Sequence, residues 1–125
     1  YRDQGTSRHR LFVWDKDNAF QFAADAAPVR ATDANVLFRR AMTYPDLRET
    51  YFQALENCAR IAATDSFLLL EIDRLVAIIF DAARSDPKKQ FDNARWDLAV
   101  DFLRTFAAVR PQFVLNQVAQ LRRSP

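Results

Sequence analysis

The chain has 125 residues, half of them hydrophobic, with eleven Phe, one Gly and a net charge of +2. That much large apolar surface excludes a disordered chain, the length suffices to bury a core without disulfides or metals, and so small a positive excess lacks the dense basic face that nucleic acids select. A lone glycine, Gly5, also excludes a fold built on many tight β-turns, several of which need positive φ, while plentiful Ala, Leu and Arg favour helix, so the expected class is mainly α.

The N-terminal residues depart from that class. Leu11-Phe12-Val13-Trp14 is a short run of β-type residues, and Asp3-Gln4-Gly5-Thr6-Ser7 ahead of it has turn composition. With Tyr1 ending an earlier strand, residues 1–22 are expected to form a β-hairpin or a short strand lying on something larger. His9, the single His, falls in or beside that strand and suits a surface or packing role; with no nucleophile to serve, it forms no triad. Residues 23–35 contain Pro28 and small side chains without a clear period, and read as a loop. The first Met is Met42, so the chain reads as a fragment.

Residues 36–125 are expected to form a bundle of about five helices. Thr32 or Asp33 is placed to cap the first, over 36–42. Tyr44-Pro45-Asp46 sets a proline at a helix start, where its missing N–H costs nothing. That helix runs to about Ala63, with Leu47, Tyr51, Leu55 and Cys58 along one side; Cys58, the lone cysteine, reads as a small core residue and leaves the redox compartment open. Thr64-Asp65-Ser66 breaks the helix and caps the next, in which Leu68, Ile72, Leu75, Val76, Ile79 and Phe80 form a broad apolar face. Asp86-Pro87-Lys88-Lys89 is an exposed turn. Trp96, Val100, Leu103 and Phe106 carry a further helix, and Pro111 starts the last, containing Phe113, Val114, Val118 and Leu121. Each stripe is wide enough to face a core. No apolar run reaches membrane-spanning length.

One segment resists a purely structural account. Trp14-Asp15-Lys16-Asp17-Asn18 sets two acids and an amide directly after the hydrophobic strand. On extended backbone Asp15 and Asp17 point to the same side, and adjacent carboxylates repel unless a cation lies between them or one is protonated. A hard divalent ion such as Mg²⁺ takes one or two carboxylates and completes its shell with water and phosphate. On spacing alone, two solvated acids at a strand end remain the plainer reading. A calcium-binding EF-hand fails: the fifth, sixth and twelfth positions from Asp15 hold Ala19, Phe20 and Ala26.

The order of features resembles the CotH family of atypical kinases. The resemblance rests on Trp14-Asp15-Lys16-Asp17 followed by Phe20, and then on Leu37-Phe38-Arg39-Arg40. Next come Tyr44-Pro45-Asp46 leading to Tyr51, Ile72-Asp73-Arg74-Leu75, and Phe102-Leu103-Arg104 running to Val109-Arg110-Pro111. Each motif is loose alone, and the ordered set spans nearly the whole chain.

The resemblance implies the C-terminal lobe of an atypical protein kinase, an enzyme that moves the γ-phosphoryl of ATP onto a protein hydroxyl with Mg²⁺. In that comparison Asp15 looks like the metal-binding aspartate, with Asp17 as accessory ligand and Asn18 as a weaker third. The implied cofactors are Mg²⁺ and ATP. The implied partners are a protein substrate and a nucleotide-binding lobe, with no nucleic acid and no membrane span. The phosphate-gripping lysine, catalytic aspartate and metal-binding asparagine of kinases have no counterpart among these residues, so the chain alone is expected to be inactive. The competing reading is a non-catalytic helical interaction module, in which Asp15 and Asp17 face water.

Overall fold

The computed structural model describes Gly5, Phe20, residues 23–29 and residues 35–123. Mainly helical architecture is what it shows, with no strand among the described residues. Four α-helices follow one another: α1 (Val36–Thr43), α2 (Pro45–Ala63), α3 (Phe67–Ser85) and α4 (Asn93–Arg123), with a 3₁₀ turn at Thr64–Ser66 between α2 and α3. The expected hairpin of residues 1–22 lies outside the described residues. The loop expected over 23–35 is irregular over 23–29, where the Ala26 amide donates to the Ala23 carbonyl at 2.9 Å.

Helix starts follow local chemistry, with one change of cap. Asn35, rather than Thr32 or Asp33, caps α1: its Oδ1 accepts from the Phe38 amide at 3.0 Å, filling one of the orphan donors of the first turn. Proline opens α2 as expected. The break after Ala63 is real, with Asp65 (φ 49°) and Ser66 (φ 57°) both left-handed, a conformation that costs non-glycine residues about 1 kcal/mol or more each. Ser66, however, makes no side-chain cap. Thr64 instead turns back and donates its hydroxyl to the Arg60 carbonyl at 2.8 Å.

The expected bundle of five helices becomes four because Pro111 does not begin a helix. It sits inside α4, which runs through it for 31 residues, about 46 Å at 1.5 Å per residue. An interior proline forgoes one backbone hydrogen bond and crowds the carbonyl four residues back, a cost of ~3 kcal/mol. The packing explains why it is tolerated. Val100, Ala107, Pro111, Val114 and Val118 are all buried, and their spacing of three, four and seven residues makes one continuous stripe. A break at Arg110 would rotate Val114 and Val118 away from α2.

The core lies between α2 and α4, where Phe52 and Ala59 meet Val114 and Val118, flanked by Val29, Met42, Tyr51, Leu55 and Leu121. The Arg122 guanidinium closes this pair at its end. It donates to Glu49 at 2.8 and 3.1 Å and to Glu56 at 2.7 and 3.1 Å, and lies 6.0 Å from the centre of the Phe52 ring. Cys58 is exposed, against expectation. The buried line of α2 runs through Phe52 and Ala59, and a neighbouring position on a helix is turned by about 100°.

The apolar face of α3 is also largely uncovered. Ile72 alone is buried, whereas Leu75, Ile79 and Phe80 are exposed, as are Phe67, Leu70 and Ile78. Contact with α4 runs through an edge-on Phe80–Trp96 pair at 5.8 Å and the ion pairs Arg84–Asp97 and Arg104–Asp73, both 2.8 Å. In the turn after α3, Asp86 accepts from the Lys88 amide at 2.8 Å. Lys89 is not the exposed turn residue expected. It is half-buried and donates to the carbonyls of Ala83 and Arg84 at 2.9 and 3.1 Å and to Asn93 Oδ1, so its charge serves the carbonyl end of α3. Among the described residues no helix is long and apolar enough to cross a membrane.

Candidate functional site

The residues singled out for metal chemistry, Asp15, Asp17 and Asn18, lie outside the described residues, and so does His9. Among the described residues no group of three or more His, Cys, Asp or Glu could hold a metal ion. The donor chemistry of the sequence motif still defines what it suits: two carboxylates and an amide oxygen, all hard oxygen donors, fit Mg²⁺ or Mn²⁺ and not a soft, thiolate-seeking ion.

What the structure does place is the segment that follows the motif. Phe20 stands two residues after Asn18, and its ring meets Phe106 of α4 edge-on, centroids 5.2 Å apart. Next, the Arg110 guanidinium reaches out of α4 and donates from Nη1 to the carbonyl of Ala24 at 3.0 Å and to that of Ala26. The same guanidinium lies over the rings of Phe106 and Phe113, 5.9 and 5.6 Å from their centres, so its stem and plane are packed while Nη1 is turned to the Ala24 and Ala26 carbonyls. The third pin is Tyr51 of α2, whose hydroxyl donates to the Pro28 carbonyl at 3.1 Å. Its ring is held edge-on to Phe38 at 5.1 Å, and partial burial pushes the phenol's pKa up, which keeps the donor proton in place.

Three of the residues quoted for the family resemblance thus gain a structural role: Phe20, Tyr51 and Arg110 all make contacts that fasten Phe20 and residues 23–29, a strap of chain, onto the α2–α4 pair. Sequence reasoning noted Arg110 only as part of an Arg-Pro pair and treated the aromatics as packing. The available signal was the Phe106-Arg110-Phe113 spacing, which puts an arginine between two rings on one helical face.

A separate cleft of about 460 Å³ lies at the corner of α2, the 3₁₀ turn and α3, lined by Ile61, Phe67, Leu70, Glu71 and Arg74 among others. Two of its three charged members, Glu71 and Arg74, pair with each other at 2.6 Å, and Asp65 is the third. It shares no residue with the contacts of Phe20, Tyr51 and Arg110.

The family model for the CotH kinase protein matches residues 1–114, and the chain belongs to that family. No curated protein and no solved structure matches it.

Proposed function

We propose that this chain is the helical, C-lobe-like part of a CotH-type kinase, in which residues 1–22 carry the metal motif, 23–35 connect, and 36–125 form the supporting body. The reading is carried by the family match, which takes in Trp14-Asp15-Lys16-Asp17 and the helices together. Asp15 is the principal ligand of Mg²⁺, Asp17 an accessory ligand, and Asn18 a third oxygen donor. Bound with ATP, the ion supplies neutralisation of charge on the β- and γ-phosphate oxygens. The protein's own contribution is to hold the two carboxylates ionised and side by side, and to present them from a rigid support. The acceptor is a hydroxyl on a protein substrate.

The test is Asp15→Asn, which keeps shape and removes charge. Mg²⁺-dependent phosphotransfer from ATP falls by about two orders of magnitude or more, since little else in phosphoryl transfer replaces the ion. The melting temperature stays the same or rises slightly, because one of two repelling carboxylates is gone. Asp17→Asn acts in the same direction and more weakly. Full activity in Asp15→Asn, or unfolding as its main effect, would show Asp15 to be structural.

A second reading, a non-catalytic helical interaction domain, draws on the exposed apolar ridge of α3, with Leu70 61% and Ile78 66% exposed. Such a domain predicts that Asp15→Asn changes nothing, and that a charge placed on the ridge, as in Ile78→Asp, abolishes partner binding.

A further inference from the structure

Helix α3 has a second face that the core does not use. Phe67, Leu70 and Ile78 are exposed on it, turned away from the buried Ile72. Phe67, Glu71, Arg74 and Ile78 follow one another at four, three and four residues, the spacing that keeps side chains on one line and that paired helices use for their seam. Leu68 and Leu75 lie along one edge of this line, Leu70 and Ala77 along the other. The line is apolar to either side of its middle, where Glu71 pairs with Arg74 at 2.6 Å. A contiguous exposed apolar patch with a few placed charges marks a contact surface.

We propose that α3 is a self-association surface whose partner is a second copy of this chain, docked antiparallel about a two-fold axis that passes between Glu71 and Arg74. The line is complementary to itself in that alignment. Phe67 faces the partner's Ile78 and Glu71 faces the partner's Arg74, and the two-fold axis repeats both contacts in reverse. At the edges Leu70 meets the partner's Ala77, large against small, and Leu75 meets the partner's Leu68. The two Glu71–Arg74 pairs then join into a ring of alternating charge. Other alignments set like charges together or a charge against an apolar group. A parallel pair places Glu71 on the partner's Glu71 and Arg74 on the partner's Arg74. An antiparallel pair slid by one heptad places Glu71 on the partner's Asp81, or Phe67 on the partner's Glu71. A charged layer in an apolar seam costs stability and fixes register. The cleft at the head of α3 suits the same arrangement. It is lined by Ile61, Phe67 and Leu70, and the partner's Ile78 arrives opposite Phe67, at its mouth. The inference rests on the reading of this ridge as a contact surface, names its partner, and holds whether or not the Asp15 motif binds metal.

One helix face makes a small interface, below about 1,200 Å² in total, and contacts of that size are weak. The chain should therefore be a monomer in dilute solution and a dimer when concentrated, which sedimentation from about 5 to about 500 μM reads directly. Charge reversal tests the register. Arg74→Glu brings four carboxylates together and Glu71→Arg four guanidiniums, so each variant alone should stay monomeric through that range. Helix content should be unchanged, because neither side chain lies in the core. Mixed in equal amounts, the two variants restore opposite charges in both layers, and a heterodimer should form. Ile78→Asp should abolish association of the otherwise unaltered chain. An unaltered chain that stays monomeric at every concentration overturns the proposal and leaves the ridge to a different partner, whose binding Ile78→Asp would still abolish. A dimer that survives Arg74→Glu uses another surface and overturns it too. Single variants that dissociate but do not reassemble when mixed refute the antiparallel register. If Arg74→Glu fails to fold, Glu71→Arg decides by the same measurement: loss of the dimer supports the contact, and its persistence refutes it.

Discussion

Helices α2 and α3 are both 19 residues long, and they are buried to opposite extents. The sequence of α3 is the richer in large apolar residues, yet Ile72 alone is buried. The more polar α2 places Phe52 and Ala59 in the core. The difference lies in the opposite surface. Along α2 runs the uninterrupted stripe Ala107, Pro111, Val114, Val118 of α4, while the α3–α4 contact includes one ring pair and two ion pairs whose side chains are a third to a half exposed. Exposed ion pairs contribute little. An apolar helix face is therefore only half of a core; the other half must come from a neighbour whose own stripe is in register.

This contrast can be broken by substitution and urea titration. The largest expected effect is at Phe52, 3% exposed: Phe52→Ala should cost about 3–5 kcal/mol. Ile72, 8% exposed, is the single point where α3 resembles α2, and Ile72→Ala should cost about 2–4 kcal/mol. A smaller and pH-dependent effect comes from Arg122. Its hydrogen bonds hold the Glu49 and Glu56 carboxyls below their usual 4.5. A depressed folded-state pKa contributes stability that is present above the unfolded value and lost as pH falls through the folded one. The unaltered protein should therefore lose stability as pH drops below about 4.5, and Arg122→Met should flatten that loss, as melting curves from pH 6 to about 3 would reveal. Smallest of all, Ile78→Ser on the outer ridge of α3 should change stability by no more than about 0.5 kcal/mol. If it costs as much as Ile72→Ala, the ridge is covered and the contrast between the helices is void.

The helices were legible because their signals are local. Pro45 needs no N–H, Thr64-Asp65-Ser66 interrupts the period, and each stripe repeats within a few turns. What failed was non-local. Pro111 is a helix start by any local rule, and only the match of Ala107 and Val114 to α2 overrides it. Cys58 shares a plausible stripe with Leu47 and Tyr51, but which of two adjacent stripes is buried depends on where α4 lies. Breadth of the α3 face was read correctly and its coverage was not, since periodicity carries no information about a partner. For the site, the sequence offers Asp15, Asp17 and Asn18 as candidate oxygen donors, which lie outside the described residues, and the family pattern around them, which the family match bears out. It did not supply the strap, because Arg110 recognises backbone carbonyls, which have no signature in the sequence.

The Arg110 contact also sets a schedule for synthesis. Ala24 leaves the ribosome 86 residues ahead of the side chain that will hold it, an interval of roughly 4–17 s at about 5–20 residues per second. Isolated helical turns form in microseconds, so α1, α2 and α3 can exist long before then. Over that interval α2 also lacks Val114 and Val118, its main core partners. Of the four helices, α4 is thus the one that completes the α2 core and holds Ala24 and Ala26 against it. A nascent protein stalled before Arg110 would carry Ala24 and Ala26 without the guanidinium that holds them, and the order of residues 23–29 would arrive only with α4.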